Sequence, residues 1–285
     1  MQIWKRFISA PKALLLLLAC CLLCSGCSAS GGQKPAAEAL SLALAGMDGS
    51  DGVSFEGAAA LMLNGKLLEE SALYYGGNVE DHHKVSLHTL LPDGEGQQTA
   101  AAGRQKRNKQ TAATYATRLE KTDGGWTMLA ETAADEWNPL PGLNPLRQLE
   151  EMEQLAKRQV TEEGGAAAGI RLLRIELAPE AAKEQLAAAL ERDMLVIRPA
   201  ASNSGAADGK EAAGKELSAY WEQKEQELHG KLAGAEVASI YSLQVDAKRN
   251  RPKKLSWTRR ITYPGSAGQA TEEVYVSEVE FYGYR

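Results

Sequence analysis

A side-chain period of two returns repeatedly between turn signals in this chain, and it limits the fold more than any other feature. Along residues 254–263, Leu255, Trp257, Ile261 and Tyr263 fall on one side of an extended segment, with Arg259 interrupting the row. Residues 237–248 and 272–284 read the same way, Tyr275, Val279 and Phe281 sharing a face in the last. The turn signals Asn250-Arg251-Pro252 and Pro264-Gly265 separate these three segments, which are therefore expected to be consecutive antiparallel neighbours. Earlier in the chain, residues 53–63 end at Asn64-Gly65, a dipeptide suited to tight hairpins, and 67–75 return from it. Gly76-Gly77 reads as the next turn. Residues 78–91 follow as an extended run with Val85 and Leu87 on one face and His82, Lys84, Ser86 and His88 on the other. Residues 92–98 read as a loop, and a basic run (Arg104, Lys106, Arg107, Lys109) precedes strands at 112–121 and 126–131, turned at Asp123-Gly124-Gly125.

Helical spacing appears in four places. Ala39, Leu40, Ala43 and Leu44 mark a short helix over 36–47. Leu146, Leu149, Met152 and Leu155 recur every three residues along 145–160, with Asn144 placed to cap the helix and Pro145 at its first position. Pro179 opens a third helix to about residue 192, after a loop at 162–169 and a strand at 171–178, and 216–232 form a fourth. Residues 200–214 are Ala/Gly/Ser-rich and patternless, and read as a mobile surface insert. These elements predict an α+β domain over 38–285, an antiparallel sheet with one face buried under helices. Any gap between the two layers would be an apolar, ligand-sized cavity. Leu146, Leu149, Met152, Leu155 and Trp257 are the candidates to line such a groove, although a leucine stripe of this kind is more often plain core.

The first residues carry a different message. Lys5, Arg6 and Lys12 precede an apolar run at 13–23 and then small residues, the layout of a secretory signal peptide, too short for a spanning helix. Small residues before a cysteine resemble the lipobox of bacterial lipoproteins, which implies cleavage after residue 26 and a lipid on Cys27. Cys20 also fits the pattern, but apolar residues follow it. Residues 28–37 are small and polar and read as a flexible tether. The chain has 4 cysteines, Cys20, Cys21, Cys24 and Cys27. The body after the leader can therefore have no internal disulfide and no thiolate metal site.

The net charge is −5 for the chain and, as the leader holds three cations and no anion, −8 without it. That excludes a general nucleic-acid binder. Lys248, Arg249, Arg251, Lys253 and Lys254 nevertheless crowd one hairpin tip, a candidate contact for an anionic membrane surface. No catalytic residue, metal site or cofactor is expected. His82 and His88 are about 20 Å apart along a strand and cannot share a metal. A nucleophile elbow, a P-loop and a dinucleotide fingerprint are all absent from the sequence.

The helix PAAEALSLALAGM, the strand VSFEGAAALML, the segment NPLRQLEEMEQL, and the terminal KLSWTRRITYP and EEVYVSEVEFYGY together resemble, in kind and order, the lipoprotein carriers related to LolA and to the mycobacterial LppX and LprG proteins. The resemblance implies a half-barrel of antiparallel sheet with helices on its concave side and a hydrophobic cargo between them. It also implies a non-enzymatic module, held at the extracytoplasmic face of a membrane by its N-terminal lipid. Its partner would be a hydrophobic or envelope ligand. The alternative reading is a structural or signalling partner of envelope proteins with a solid core.

Overall fold

The computed structural model describes residues 34–90, 114–123, 125–129, 138–197, 208–265 and 270–285. The chain divides into Met1–Pro35 and Ala36–Arg285, and all that is described belongs to the second unit apart from Lys34 and Pro35. The leader, Cys20, Cys27, the tether at 28–33, the loop at 92–98 and the basic run at 104–109 lie outside the described residues.

Helix α1 (Ala36–Asp48) precedes strands β1 (Gly52–Leu63), β2 (Lys66–Leu67), β3 (Leu73–Glu80), β4 (Lys84–Thr89), β5 (Ala116–Thr122) and β6 (Gly125–Leu129). Helix α2 (Pro145–Gln154), strands β7 (Lys157–Glu163) and β8 (Ile170–Leu177), and helices α3 (Pro179–Ile197) and α4 (Asp208–Gly234) follow. Strands β9 (Glu236–Asp246), β10 (Arg251–Tyr263) and β11 (Thr271–Tyr282) close the chain. The strands form one open antiparallel sheet in the order β6-β5-β4-β3-β1-β11-β10-β9-β8-β7, with β2 a short return on β1. Two meanders thus meet along β1 and β11. The closing strands are consecutive neighbours, as their alternation and turns predict.

Register carries one apolar face across both meanders. Read across the strands, Ala59 faces Ser277, Ser277 faces Trp257, Trp257 faces Tyr241, Tyr241 faces Ile175, and Ile175 faces Val160. A parallel row runs Leu87, Gly77, Phe55, Phe281. The helices cover this face, α3 packing on β9 and α1 on β10, and their buried residues join those of the strands in one hydrophobic cluster. The α+β sheet with helices on one face therefore matches expectation. Helix α2 starts as its sequence dictates: the Asn144 side chain accepts the Leu146 N–H at 3.1 Å, and Pro145 occupies the first turn. Its buried Leu146, Leu149 and Met152 each contribute about 1.5–3 kcal/mol by leaving water.

Three local expectations are corrected. Gly76-Gly77 lies inside β3 and is not a turn. A Cβ on Gly77 would stand 2.7 Å from the Phe55 ring and 1.9 Å from the Ser86 carbonyl, so glycine is required where an aromatic ring crosses the strand. The reversal falls instead at 81–83, where Asp81 and His82 take φ of 52° and 60°, a left-handed conformation that Asp and His tolerate. His82 is thus a turn residue and shares no strand face with His88.

Secondly, α2 ends at Gln154, and Leu155 is already extended (ψ 147°). The polar stretch after it, including 162–163 of the expected loop, becomes the edge strand β7, with β-branched Val160 and Thr161 paired to Ile175 and Arg174. Thirdly, α4 begins at Asp208, so the second half of the 200–214 segment is helical. Residues 198–207 lie outside the described residues.

Candidate functional site

Between the sheet and the helices lies a cavity of about 1580 Å³, bordered by Ala59, Leu119, Leu186, Leu190, Ile261 and Tyr263 among other apolar side chains. That exceeds the roughly 300–1,000 Å³ of usual small-molecule sites. The strands supply its floor through Trp257, Arg259 and Tyr275, and α2, α3 and α4 supply walls through residues such as Gln148, Leu190 and Leu228.

Of the residues nominated from the sequence, Trp257 borders the cavity. Leu146, Leu149 and Met152 are buried in the core, and Leu155 is half-buried at the end of α2; none of the four borders it. The side of α2 turned to the cavity is the polar one, with Arg147, Gln148 and Glu151. Glu150 fastens the same helix to the β5–β6 hairpin, accepting from Lys121 Nζ at 2.9 Å and Trp126 Nε1 at 3.0 Å.

A hydrogen-bonded chain holds the floor in position. Trp257 Nε1 donates to Ser239 Oγ at 2.8 Å, Ser239 Oγ donates to Gln185 Oε1 at 3.2 Å, and Gln185 Nε2 donates both to Tyr241 Oη at 2.6 Å and to Glu151 Oε2 at 2.8 Å. The Tyr241 and Trp257 rings stack at 5.4 Å with an interplanar angle of 8°, and Tyr275 meets Trp257 edge-on at 5.2 Å. Burial raises the Tyr241 and Tyr275 phenols above their ordinary value, which keeps both neutral. The other oxygen of Glu151 takes Arg147 Nε at 3.1 Å and Arg192 Nη2 at 3.5 Å. Arg259 lies against the faces of Trp257 and Tyr275, its Cζ 5.1 and 5.3 Å from their centroids. Sequence reading noted Arg259 only as a break in an apolar row. The signal that could have found it was that same break: an inward position on a central strand occupied by a guanidinium.

The basic tip is arranged otherwise. Asp246 Oδ1 accepts the Lys248 and Arg249 backbone N–H groups, each at 3.0 Å, and the Arg249 N–H is the main influence holding this carboxyl below its usual range. Arg251 lies over the Tyr284 ring at 5.1 Å, and Lys254 pairs with Glu278 and Glu280. Lys248, Arg249 and Lys253 are exposed. Among the described residues there is no cluster of three or more His, Cys, Asp or Glu that could hold a metal ion.

No family model and no curated relative matches the chain. Among solved structures, it is similar to LprF from Mycobacterium bovis, with 9% identity over 88% of this chain and 95% of that one, at a TM-score of 0.33. It is also similar to a LolA superfamily protein from Nitrosomonas europaea, with 8% identity over 89% and 94% and a TM-score of 0.27. A third similarity is to a structure described as lipid–protein interactions in lipovitellin, with 7% identity over 84% of this chain and 26% of that one, and a TM-score of 0.34.

Proposed function

We propose that the protein is a non-enzymatic, lipid-anchored carrier or binding module for a hydrophobic ligand at the extracytoplasmic face of a bacterial membrane. The observation that carries this reading is the cavity of about 1580 Å³ between sheet and helices, walled largely by apolar side chains. Close-packed interiors leave few spaces larger than a water molecule, so an apolar space of this size between two layers is the shape a ligand site needs. A fixed polar chain from Trp257 through Ser239 and Gln185 to Glu151 joins the sheet to the helices beside this space. The anchor rests on the sequence of the leader: a lipid on Cys27, with Cys20 as the competing position, followed by a tether at 28–37. Among the described residues no helix is long and apolar enough to cross a membrane. The ligand would enter the cavity with its apolar part against Leu186, Leu190 and Ile261, and hydrophobic burial would supply the affinity.

The test is native mass spectrometry of the protein purified from its own membranes, together with titration of the delipidated protein by an apolar fluorescent probe. A co-purified amphiphile and saturable probe binding near one equivalent are expected. A bare protein that also leaves the probe in water would overturn the reading.

A further inference from the structure

The cavity is apolar over most of its wall, yet it contains a charge that hydrocarbon alone would not call for. Arg259 projects from the middle of β10, on the face that elsewhere carries Leu255, Trp257 and Ile261. Its Nε is buried and, among the described residues, has no hydrogen-bond partner. Burial pulls the guanidinium below its ordinary value, though an arginine stays cationic in practice. A buried cation without a partner is costly to keep. The Trp257 and Tyr275 faces offset part of that cost and fix where the group sits, but aromatic faces accept no hydrogen bond from Nε in the plane of the fork.

The neighbouring charges leave the position open. Glu151 is occupied by Arg147, Arg192 and Gln185. Asp193, another carboxylate on this part of the wall, is exposed and, like Glu151, acts on Arg259 through space without accepting a hydrogen bond from its Nε. Arg147, Arg192 and Arg259 thus gather around Glu151 and Asp193, and Arg259 is the one whose buried Nε has no acceptor among the described residues.

We infer that Arg259 is the head-group site of the cavity: the ligand is an acyl amphiphile with an oxyanion head, carboxylate or phosphate, whose head pairs with the guanidinium while its chain lies along the apolar wall. This rests on the carrier reading and adds the chemistry of the cargo. The planar fork suits either oxyanion, and the Trp257–Ser239–Gln185 chain keeps the platform beneath it rigid, so little ordering remains to be done on binding.

The experiment uses the full chain, stripped of lipid, and two fluorescent ligands with the same hydrocarbon, cis-parinaric acid and its methyl ester. Any binding by the leader is common to all arms. Wild type should bind the acid at least about tenfold more tightly than the ester, the value of one charge-assisted hydrogen-bonded pair away from water. Arg259→Leu should bring acid and ester binding to the same level, whereas Arg259→Lys should keep part of the preference. Inorganic phosphate at millimolar concentration should not displace the acid, because it lacks the chain; displacement would assign the site to free phosphate and overturn the inference. Ester and acid binding alike in wild type would overturn it too while leaving the carrier reading intact, and this arm needs no variant to fold. Failure of both ligands to bind removes both readings.

Discussion

Replacing Gln185 by leucine should loosen the helical layer from the sheet. Gln185 is 4% exposed and stands on α3, and its side chain is the link among α2, α3 and β9. Leucine keeps most of the volume but leaves the Tyr241 and Ser239 hydroxyls buried without this partner. Each such loss costs about 1–3 kcal/mol, and Glu151, which is partly exposed, can take water instead. The expected loss is about 2–4 kcal/mol. With a urea m-value of about 3 kcal/mol/M for a domain of this size, the midpoint should fall by about 1 M at constant m. Tryptophan fluorescence follows the transition, since Trp257 stacks on Tyr241. Gln185→Glu is the sharper companion. It keeps the shape but sets a second carboxylate where an amide now donates to Glu151 at 2.8 Å. Like charge and burial raise the folded-state pKa of the pair above the unfolded value, so the penalty is present above that raised pKa and disappears as pH falls through it. The deficit of Gln185→Glu against wild type should therefore shrink on acidification, while that of Gln185→Leu should not. A Gln185→Leu midpoint within about 0.2 M of wild type would show that the hydrogen-bonded chain does not hold the layers together.

Gly77→Ala should cost about 1–3 kcal/mol or more, because its methyl group would meet the Ser86 carbonyl and the Phe55 ring; thermal melting checks this, and Phe55→Leu in the same chain should recover part of the loss. Cys27→Ala should leave the fold of Ala36–Arg285 unchanged in circular dichroism and release the protein from the membrane fraction; retention after a salt wash would point to Cys20 or to an uncleaved leader. Changing Arg249 and Lys253 together to Glu should weaken binding to vesicles rich in anionic lipid at low salt without shifting the melting temperature, since both are exposed, and equal binding of wild type to neutral and anionic vesicles would sink the membrane-facing assignment of this tip. Lys254→Glu should behave differently and lower stability, because it would put a third carboxylate beside Glu278 and Glu280.

Much of the sheet was legible because its signals are local. The Asn64 and Gly65 dihedrals, φ 50° and 77°, are those the Asn-Gly dipeptide favours, and the Asn144–Pro145 start of α2 is likewise written in two adjacent residues. Features that depend on a neighbour distant in sequence were not legible. Gly77 looked like a turn because nothing near it in sequence announces that Phe55 will lie across it. Strand β7 looked like the continuation of a helix because an edge strand shows the core only half of its residues, and its pairing with β8 is what decides the matter. The two sides of α2 make a related point. The apolar stripe of α2 marks where it enters the core, while Arg147, Gln148 and Glu151 on its other side face the open space. Arg259 stood in plain view, but a single cation in an apolar row acquires meaning only when the rings on either side of it are known.

The meeting of β1 with β11 has a consequence for how this chain comes into being. Across that seam the Glu272 backbone N–H donates to Asn64 Oδ1 and the Tyr282 hydroxyl donates to Glu56, between residues 208 and 226 positions apart. The seam is the middle of the sheet, so neither meander is flanked on its inner side until the last strand has arrived. Contacts so distant along the chain close slowly, and an unflanked strand invites pairing with another molecule. The sheet is complete only once Thr271–Tyr282 has paired with both β1 and β10. Chains truncated before Thr271 should accordingly leave two exposed strand edges and aggregate, whereas losing the residues after Tyr282 removes no strand.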